Sequence, residues 1–210
     1  MKNYTIFYIV RHGETQWNVD CKMQGHLDIP LNDRGRIQAK DVAKKLRSIH
    51  FDLAFSSDLV RAKETAEIIA LERKLAVKTT KLLREKYFGK HQGKTYDQYN
   101  SDLKKTLDQY NRLSQEQRYR FKIDDDIETD EEFFTRFLIF IRETAVAYPG
   151  KTILVATHGG LMRYMLVHLG FGTYEELRWG AVTNTAYVKL KTDGVDFFIE
   201  ETFGVVKNRY

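Results

Sequence analysis

The chain of 210 residues holds one cysteine, Cys21. It therefore forms no internal disulfide, and a thiolate metal cluster is excluded. There are only two prolines, and no Pro-rich linker, low-complexity run or internal repeat divides the chain. No stretch approaches the roughly 20 consecutive apolar residues that a membrane-spanning helix needs. The start, Met1-Lys2-Asn3, runs straight into a strand-like segment without an apolar leader and a small-residue cleavage site, so the expected location is cytoplasmic. A basic arm and a nucleic-acid-binding motif are also missing. The formal net charge of +5 comes from Lys and Arg spread among Asp and Glu, which suits a solvated surface and a small anionic substrate.

What is present is enough apolar material for a core: 42% hydrophobic and 13% aromatic residues. The length suits a single domain over residues 1–210 carrying one excursion. Tyr4 to Val10 is an aromatic and β-branched run of the kind buried on both faces of a sheet. Asn32 caps a helix with Ala39, Val42, Ala43, Leu46 and Ile49 on one face. Asp52 to Ser56 reads as a strand, and Ser57 or Asp58 caps a helix that reaches Ala70. Leu75 to Leu82 reads as a strand. Residues of about 87–125 are rich in Tyr, Gln, Lys and Asp, and are expected to form a helical insertion with shallow packing. Thr129 and Glu132 make a capping box before a helix with Phe134, Phe137, Leu138, Ile141 and Ala145 inside. Lys151 to Thr157 is a strand, a helix runs on to Leu169, and Gly170 terminates it. Ala186–Leu190 and Val195–Glu200 flank Asp193-Gly194, a hairpin signal. Strands alternating with helices predict the α/β class, as a three-layer α/β/α arrangement around a mostly parallel sheet.

Two of the expected parallel strands end in a histidine followed by glycine, at Arg11-His12-Gly13 and His158-Gly159-Gly160. Ligands of such sheets bind outside the carboxyl ends of the strands. If both strands lie centrally, both imidazoles point into one crevice, with the insertion above it. Glycine lets backbone N–H groups approach a ligand, and a helix N-terminus after His158 favours an anion. Arg61, one turn beyond the second strand, reaches the same crevice, and Arg11 adjoins His12. Two guanidiniums and two imidazoles make a site for a doubly charged tetrahedral anion, since the planar fork of arginine pairs bidentately with phosphate. Each residue alone has a plainer reading: a hydrogen-bonded structural histidine, a turn glycine, a surface Arg61 or Glu85. Their coincidence at the ligand position of the fold is what points to chemistry. A metal is the competing reading, but no His-x-x-x-His pair or carboxylate cluster accompanies the histidines, and two arginines repel a cation.

With these residues in place, the chain resembles the histidine phosphatase superfamily, its phosphoglycerate mutase-like branch. The similarity opens with Arg11 through Asn18 and continues through Gln24 to Asn32 and Gly35. It then takes in Ser56 to Ala62 with Thr65-Ala66, Leu83-Arg84-Glu85 with Gly89 and Gly93, and His158-Gly159-Gly160 with Arg163. The blocks stand in the family's order and span nearly the whole chain. The resemblance implies His12 as a nucleophile that becomes phosphorylated, and Arg11, Arg61 and His158 as the phosphate pocket. It implies Glu85 as proton donor, Asn18, Gln24, Gly25 and the N–H of Gly159 as the rest of the binding site, and no metal or other cofactor.

The same resemblance leans toward a phosphatase acting on a small phosphorylated metabolite, as a monomer or homodimer without nucleic-acid or membrane partners. His158-Gly159-Gly160 and Asn184-Thr185-Ala186 are similar to the phosphatase versions of these segments. A cofactor-dependent phosphoglycerate mutase is the alternative: Gln92-Gly93-Lys94 has a mutase-like look, and Arg118 with Arg120 has the look of a carboxylate-gripping pair, although an exposed basic helix end is the plainer reading of it. A non-catalytic phosphoprotein-binding module is the alternative of a different class, although inactive relatives normally lose the nucleophile or the proton donor, and here both stand. Lys86 and Lys90 beside Glu85 further suggest a basic rim favouring a polyanionic substrate.

Overall fold

In a computed structural model, residues 3–71 and 73–208 are described. The chain order is β1 (Thr5–Arg11), α1 (Gln16–Val19), α2 (Asp33–Lys45), β2 (Leu53–Ser57), α3 (Val60–Leu71) and β3 (Val77–Thr80). Three short helices follow: α4 (Tyr96–Asp102), α5 (Lys104–Arg112) and α6 (Gln115–Arg120). Then come α7 (Asp130–Ala147), β4 (Thr152–Thr157), α8 (Gly159–His168), β5 (Val182–Thr192) and β6 (Phe197–Val205). The sheet has six strands in the order β3-β2-β4-β1-β5-β6. The first four run parallel, and β5 and β6 are antiparallel additions at one side.

Alternation along β1 builds the layers. Phe7 and Ile9 join Ile153 and Val155 of β4 in a core with the phenylalanines of α7 and the apolar face of α8. Tyr8 and Val10 point the other way, with Leu154, against Val42 and Ala43 of α2 and Ile69 and Ala70 of α3. Successive residues of a strand face opposite sides, so an uninterrupted apolar run requires helices on both faces. The result is the expected three-layer α/β/α fold. The capping box at Thr129 starts α7 as the sequence predicts. Among the described residues no helix is long and apolar enough to cross a membrane.

Several boundaries differ from expectation, among them the last strand, which runs over Phe197–Val205 where Val195–Glu200 is expected. The strand expected over Leu75–Leu82 is confined to Val77–Thr80. The Thr80 hydroxyl accepts the N–H of Leu82 and turns the chain into a 3-10 turn over Lys81–Leu83, which buries Leu83 and delivers Glu85 to the crevice. The expected strand Ala186–Leu190 extends to Val182–Thr192, because β5 pairs with β1 on one edge and β6 on the other. Before α3, Ser57 supplies the capping oxygen to Leu59 N–H, while Asp58 is taken up by a bidentate pair with Arg84.

Helices α5 and α6 bury no residue. This stretch is anchored instead through a small cluster of Met23, Phe88, Tyr99, Leu103 and Ile127, consistent with its weak apolar pattern.

Candidate active site

Strands β1 and β4 are neighbours, in register from Ile6 opposite Thr152 to Arg11 opposite Thr157. Their carboxyl ends therefore bring His12 and His158 side by side, with ring centroids 5.2 Å apart. His12 is 3% exposed and His158 is fully buried. The His12 Nδ1 lies 2.7 Å from the carbonyl oxygen of Gly13. A carbonyl only accepts, so Nδ1 carries the proton and the neutral ring presents a bare Nε2.

Arginines flank the pair. Arg61, second residue of α3, is fully buried; its Nη1 and Nη2 donate to the carbonyls of Leu27 and Gly25 at 2.8 and 2.7 Å. Arg11 donates through Nη1 to the carbonyl of Val182 at 2.6 Å. The Nε atoms of both arginines, both ring nitrogens of His158 and Oε1 of Gln24 are buried without a hydrogen-bond partner among the described residues. Buried polar atoms are rarely left so, and their concentration around His12 marks a site shaped for a charged ligand. Burial lowers the Arg61 pKa to about 10, which leaves the guanidinium charged at neutral pH.

Glu85 faces the pocket from the loop after the 3-10 turn. Its Oε2 accepts the N–H of Gly160, and its Oε1 that of Lys86, each at 2.9 Å. The two glycines after His158 have a steric purpose. A side chain at Gly159 would meet Arg11 Nε at 2.9 Å, and one at Gly160 would run into the Glu85 carboxylate. These residues enclose a cavity of about 250 Å³, lined by Arg11, His12, Asn18, Gln24, Gly25, Arg61, Glu85 and Gly159. The site residues read from the sequence are thus brought together; His158 is not among the residues lining the cavity, and its ring stands 5.2 Å from that of His12.

The site also takes in residues that the sequence reading did not place among the catalytic and binding residues. Asn184 Nδ2 donates to the His12 carbonyl at 3.1 Å and reaches Asn18 Oδ1 at 3.4 Å, so the Asn184-Thr185-Ala186 segment belongs in the site. Lys22 and Trp179 also line the cavity; Trp179 is in a loop, where no periodic pattern betrays it. Among the described residues no group of three or more His, Cys, Asp or Glu converges as metal ligands do.

The basic rim expected from Lys86 and Lys90 does not form. The Lys86 ammonium is buried against Asp130 at 2.5 Å, and Lys90 turns to Asp124 at 2.9 Å. Each lysine is neutralised by a partner far along the chain. Nor do Arg118 and Arg120 form a clamp. Arg118 donates to the carbonyls of Tyr110 and Asn111, and Arg120, with its side chain 75% exposed, pairs with Glu131.

Electrostatics keep both imidazoles neutral. Burial, then the charges of Arg61 and Arg11, hold the His12 pKa well below the ordinary 6.5; burial, then Arg61 and His12, do the same for His158. In the unfolded chain both take up a proton near the ordinary value, so just below it the unfolded state binds more protons than the native one. This contribution to stability is complete above about pH 6.5 and is lost as pH falls below it, by up to about 1.4 kcal/mol per pH unit for each histidine. Urea midpoints measured from about pH 7 to 5 are expected to show the decline, and a flat profile would place the imidazoles in water.

The chain matches the model of the histidine phosphatase superfamily (branch 1) over residues 7–203. It is 39% identical to phosphoglycerate mutase-like protein 4 of Arabidopsis thaliana, over 77% of this chain and 69% of that one. It is 31% identical to the uncharacterized phosphatase PhoE of Bacillus subtilis, over 81% and 80%. A solved structure of phosphoserine phosphatase from Entamoeba histolytica, in complex with 3-phosphoglyceric acid, superposes with a TM-score of 0.77 at 25% identity, covering 94% of this chain and 96% of that one.

Proposed function

The chain belongs to the histidine phosphatase superfamily, branch 1, and on that premise we propose that it is a metal-independent phosphatase, hydrolysing a small-molecule phosphomonoester through a phosphohistidine on His12. The observation that carries this reading is His12 itself: an imidazole proton-locked at Nδ1 by the Gly13 carbonyl, kept neutral by burial and set beside the guanidiniums of Arg11 and Arg61 in one cavity.

In the first step the lone pair of Nε2 attacks phosphorus, the N–P bond forms and the bond from phosphorus to the ester oxygen breaks. Glu85 gives its proton to the departing oxygen. In the second step Glu85 takes a proton from water as that water attacks the phosphohistidine, releasing phosphate and restoring the bare nitrogen. Charge on the transferring oxygens is met by Arg11, Arg61, the His158 ring and the N–H of Gly159, with Asn18, Gln24 and Gly25 completing the pocket. Each such donor is worth on the order of 100- to 1,000-fold in rate.

Water rather than a second substrate hydroxyl is favoured as acceptor. A mutase grips a carboxylate as well as a phosphoryl group, and the arginines nominated for that grip are engaged by backbone carbonyls or by Glu131. The relative named a phosphatase supports the same side.

The test is phosphate release in EDTA from an aryl phosphate and from an alkyl phosphate, with alkaline quenching to trap an acid-labile phosphoenzyme. Glu85→Gln is expected to slow alkyl phosphate turnover by about 100- to 10,000-fold. In the first step, read as the burst of phosphoenzyme in a single turnover, nitrophenyl phosphate should be slowed much less than the alkyl ester, since a nitrophenolate departs without a proton, while the water attack that follows is slowed alike for both. Equal losses in the burst rates of both would remove Glu85 from the acid role, and phosphate release requiring an added metal would end the metal-independent reading.

A further inference from the structure

The phosphate cavity opens into a second, larger one. The first holds about 250 Å³ and the second about 1110 Å³, and Glu85, Phe88, Tyr96, Gly160, Arg163 and Trp179 line both. Drug-sized ligands occupy roughly 300–1,000 Å³. The first cavity therefore holds a phosphoryl group with a few atoms beyond it, while the second has room for a group as large as a nucleoside. Glu85, the proposed proton donor, stands at the junction. The ester oxygen has to lie where Glu85 can reach it, so the alcohol half of a bound substrate is directed into the larger space.

The walls state what that half should be. Trp179, 52% exposed, stands edge-on to Phe88 and Tyr96, with centroids 6.3 and 5.7 Å away. Deeper in, Tyr99, Tyr110, Tyr164 and Tyr174 contribute further rings. Such surfaces take planar rings edge-on or offset at little conformational cost.

Most of the positive charge along the walls is already engaged. Lys86 is paired with Asp130 and Lys104 with Asp108. Arg118 is held by two carbonyls and lies 3.6 Å from Glu175. Arg163 donates to the carbonyls of Leu177 and Tyr174 and covers the Tyr174 ring. Arg178 is left at the exposed rim. A second phosphate or carboxylate on the substrate would find few donors to spare inside.

We propose that the larger cavity seats the alcohol half of the substrate, an uncharged group of about nucleoside size bearing a planar aromatic or heteroaromatic ring, with its ester oxygen at Glu85. The assignment rests on the phosphatase reading for its orientation, and its test is arranged to separate the two. Binding to His12→Ala protein is measured by calorimetry with riboflavin 5′-phosphate and adenosine 5′-monophosphate, against 3-phosphoglycerate and phosphoserine. The ring-bearing pair is expected to bind at least about ten-fold more tightly, with the same order in kcat/KM for the unmodified enzyme.

Leu107→Trp narrows the larger cavity from the α5 wall, and Trp179→Ala removes a half-exposed ring. Each is expected to reduce the preference for ring-bearing compounds by about ten-fold. Tighter binding of the small acids overturns the cavity assignment whether or not anything is turned over, as does a preference that both variants leave unchanged. If ring-bearing compounds bind preferentially but no phosphomonoester is hydrolysed, the phosphatase reading falls and the cavity assignment stands.

Discussion

His12→Ala is expected to lower kcat on every phosphomonoester by on the order of 10,000-fold or more and to abolish the base-stable phosphoenzyme. The loss follows from what His12 does, since without Nε2 the two easier displacements collapse into one direct attack by water. Removing the nucleophile of other covalent enzymes costs on the order of 10,000- to 1,000,000-fold. The residual rate would come from Arg11, Arg61 and His158, which remain to hold the phosphoryl oxygens. Affinity for phosphate should therefore change little. Single-turnover kinetics with product inhibition by phosphate reads both quantities together. A kcat within about ten-fold of the parent would rule out His12 as nucleophile, and phosphate affinity lost in parallel would show that the pocket itself had collapsed. The variant also removes one of the two buried imidazoles, so its acid destabilisation should be shallower than the parent's.

The largest expected loss of stability is at Asp130. This residue is 1% exposed. Its carboxylate accepts three short hydrogen bonds, from Lys86 Nζ at 2.5 Å, Tyr110 Oη at 2.6 Å and Tyr164 Oη at 2.7 Å. It stands in the first turn of α7, where a negative charge also meets the helix N-terminus favourably. Four segments converge on it: the loop after Glu85, α5, α7 and α8.

Asp130→Ala would strand an ammonium whose side chain is 7% exposed and leave two phenols without their acceptor. Breaking a buried ion pair from one side typically costs about 3–5 kcal/mol, a large share of the roughly 5–15 kcal/mol by which a domain is stable. Urea unfolding at neutral pH measures it, and a loss below about 1 kcal/mol would mean that water reaches Lys86. The double replacement Asp130→Leu with Lys86→Met should regain much of the loss, because it removes both charges together. Lys86 adjoins Glu85, so Asp130→Ala is also expected to slow alkyl phosphate turnover before the fold gives way.

Both predictions rest on residues of very different legibility. His12 stands out because a buried apolar run stops at Arg-His-Gly, and a second strand stops the same way at His158. Arg61 follows from its place one turn after a strand, and Glu85 from the family's pattern. Asp130 offers no comparable signal, since an acid in the first turn of a helix is ordinary. Its importance comes from Lys86, 44 residues earlier, and from tyrosines on two other helices.

The sequence by itself determined the class of fold, because the uninterrupted apolar run of β1 and helical periodicity in α2 and α7 are local properties written into consecutive residues. It also determined the chemical kind of the site, since histidine, arginine and glycine at strand ends carry their reactivity wherever the chain takes them. The tertiary structure alone decided that β1 and β4 are neighbours and so set the two imidazoles 5.2 Å apart. It alone showed that Lys86 and Lys90 are neutralised by Asp130 and Asp124, that Arg118 is engaged by backbone carbonyls, and that Asn184 and Trp179 reach the pocket. The physical reason is common to all of these: electrostatic pairing and cavity shape depend on distances between residues remote in the chain, and those distances exist only once the layers have packed.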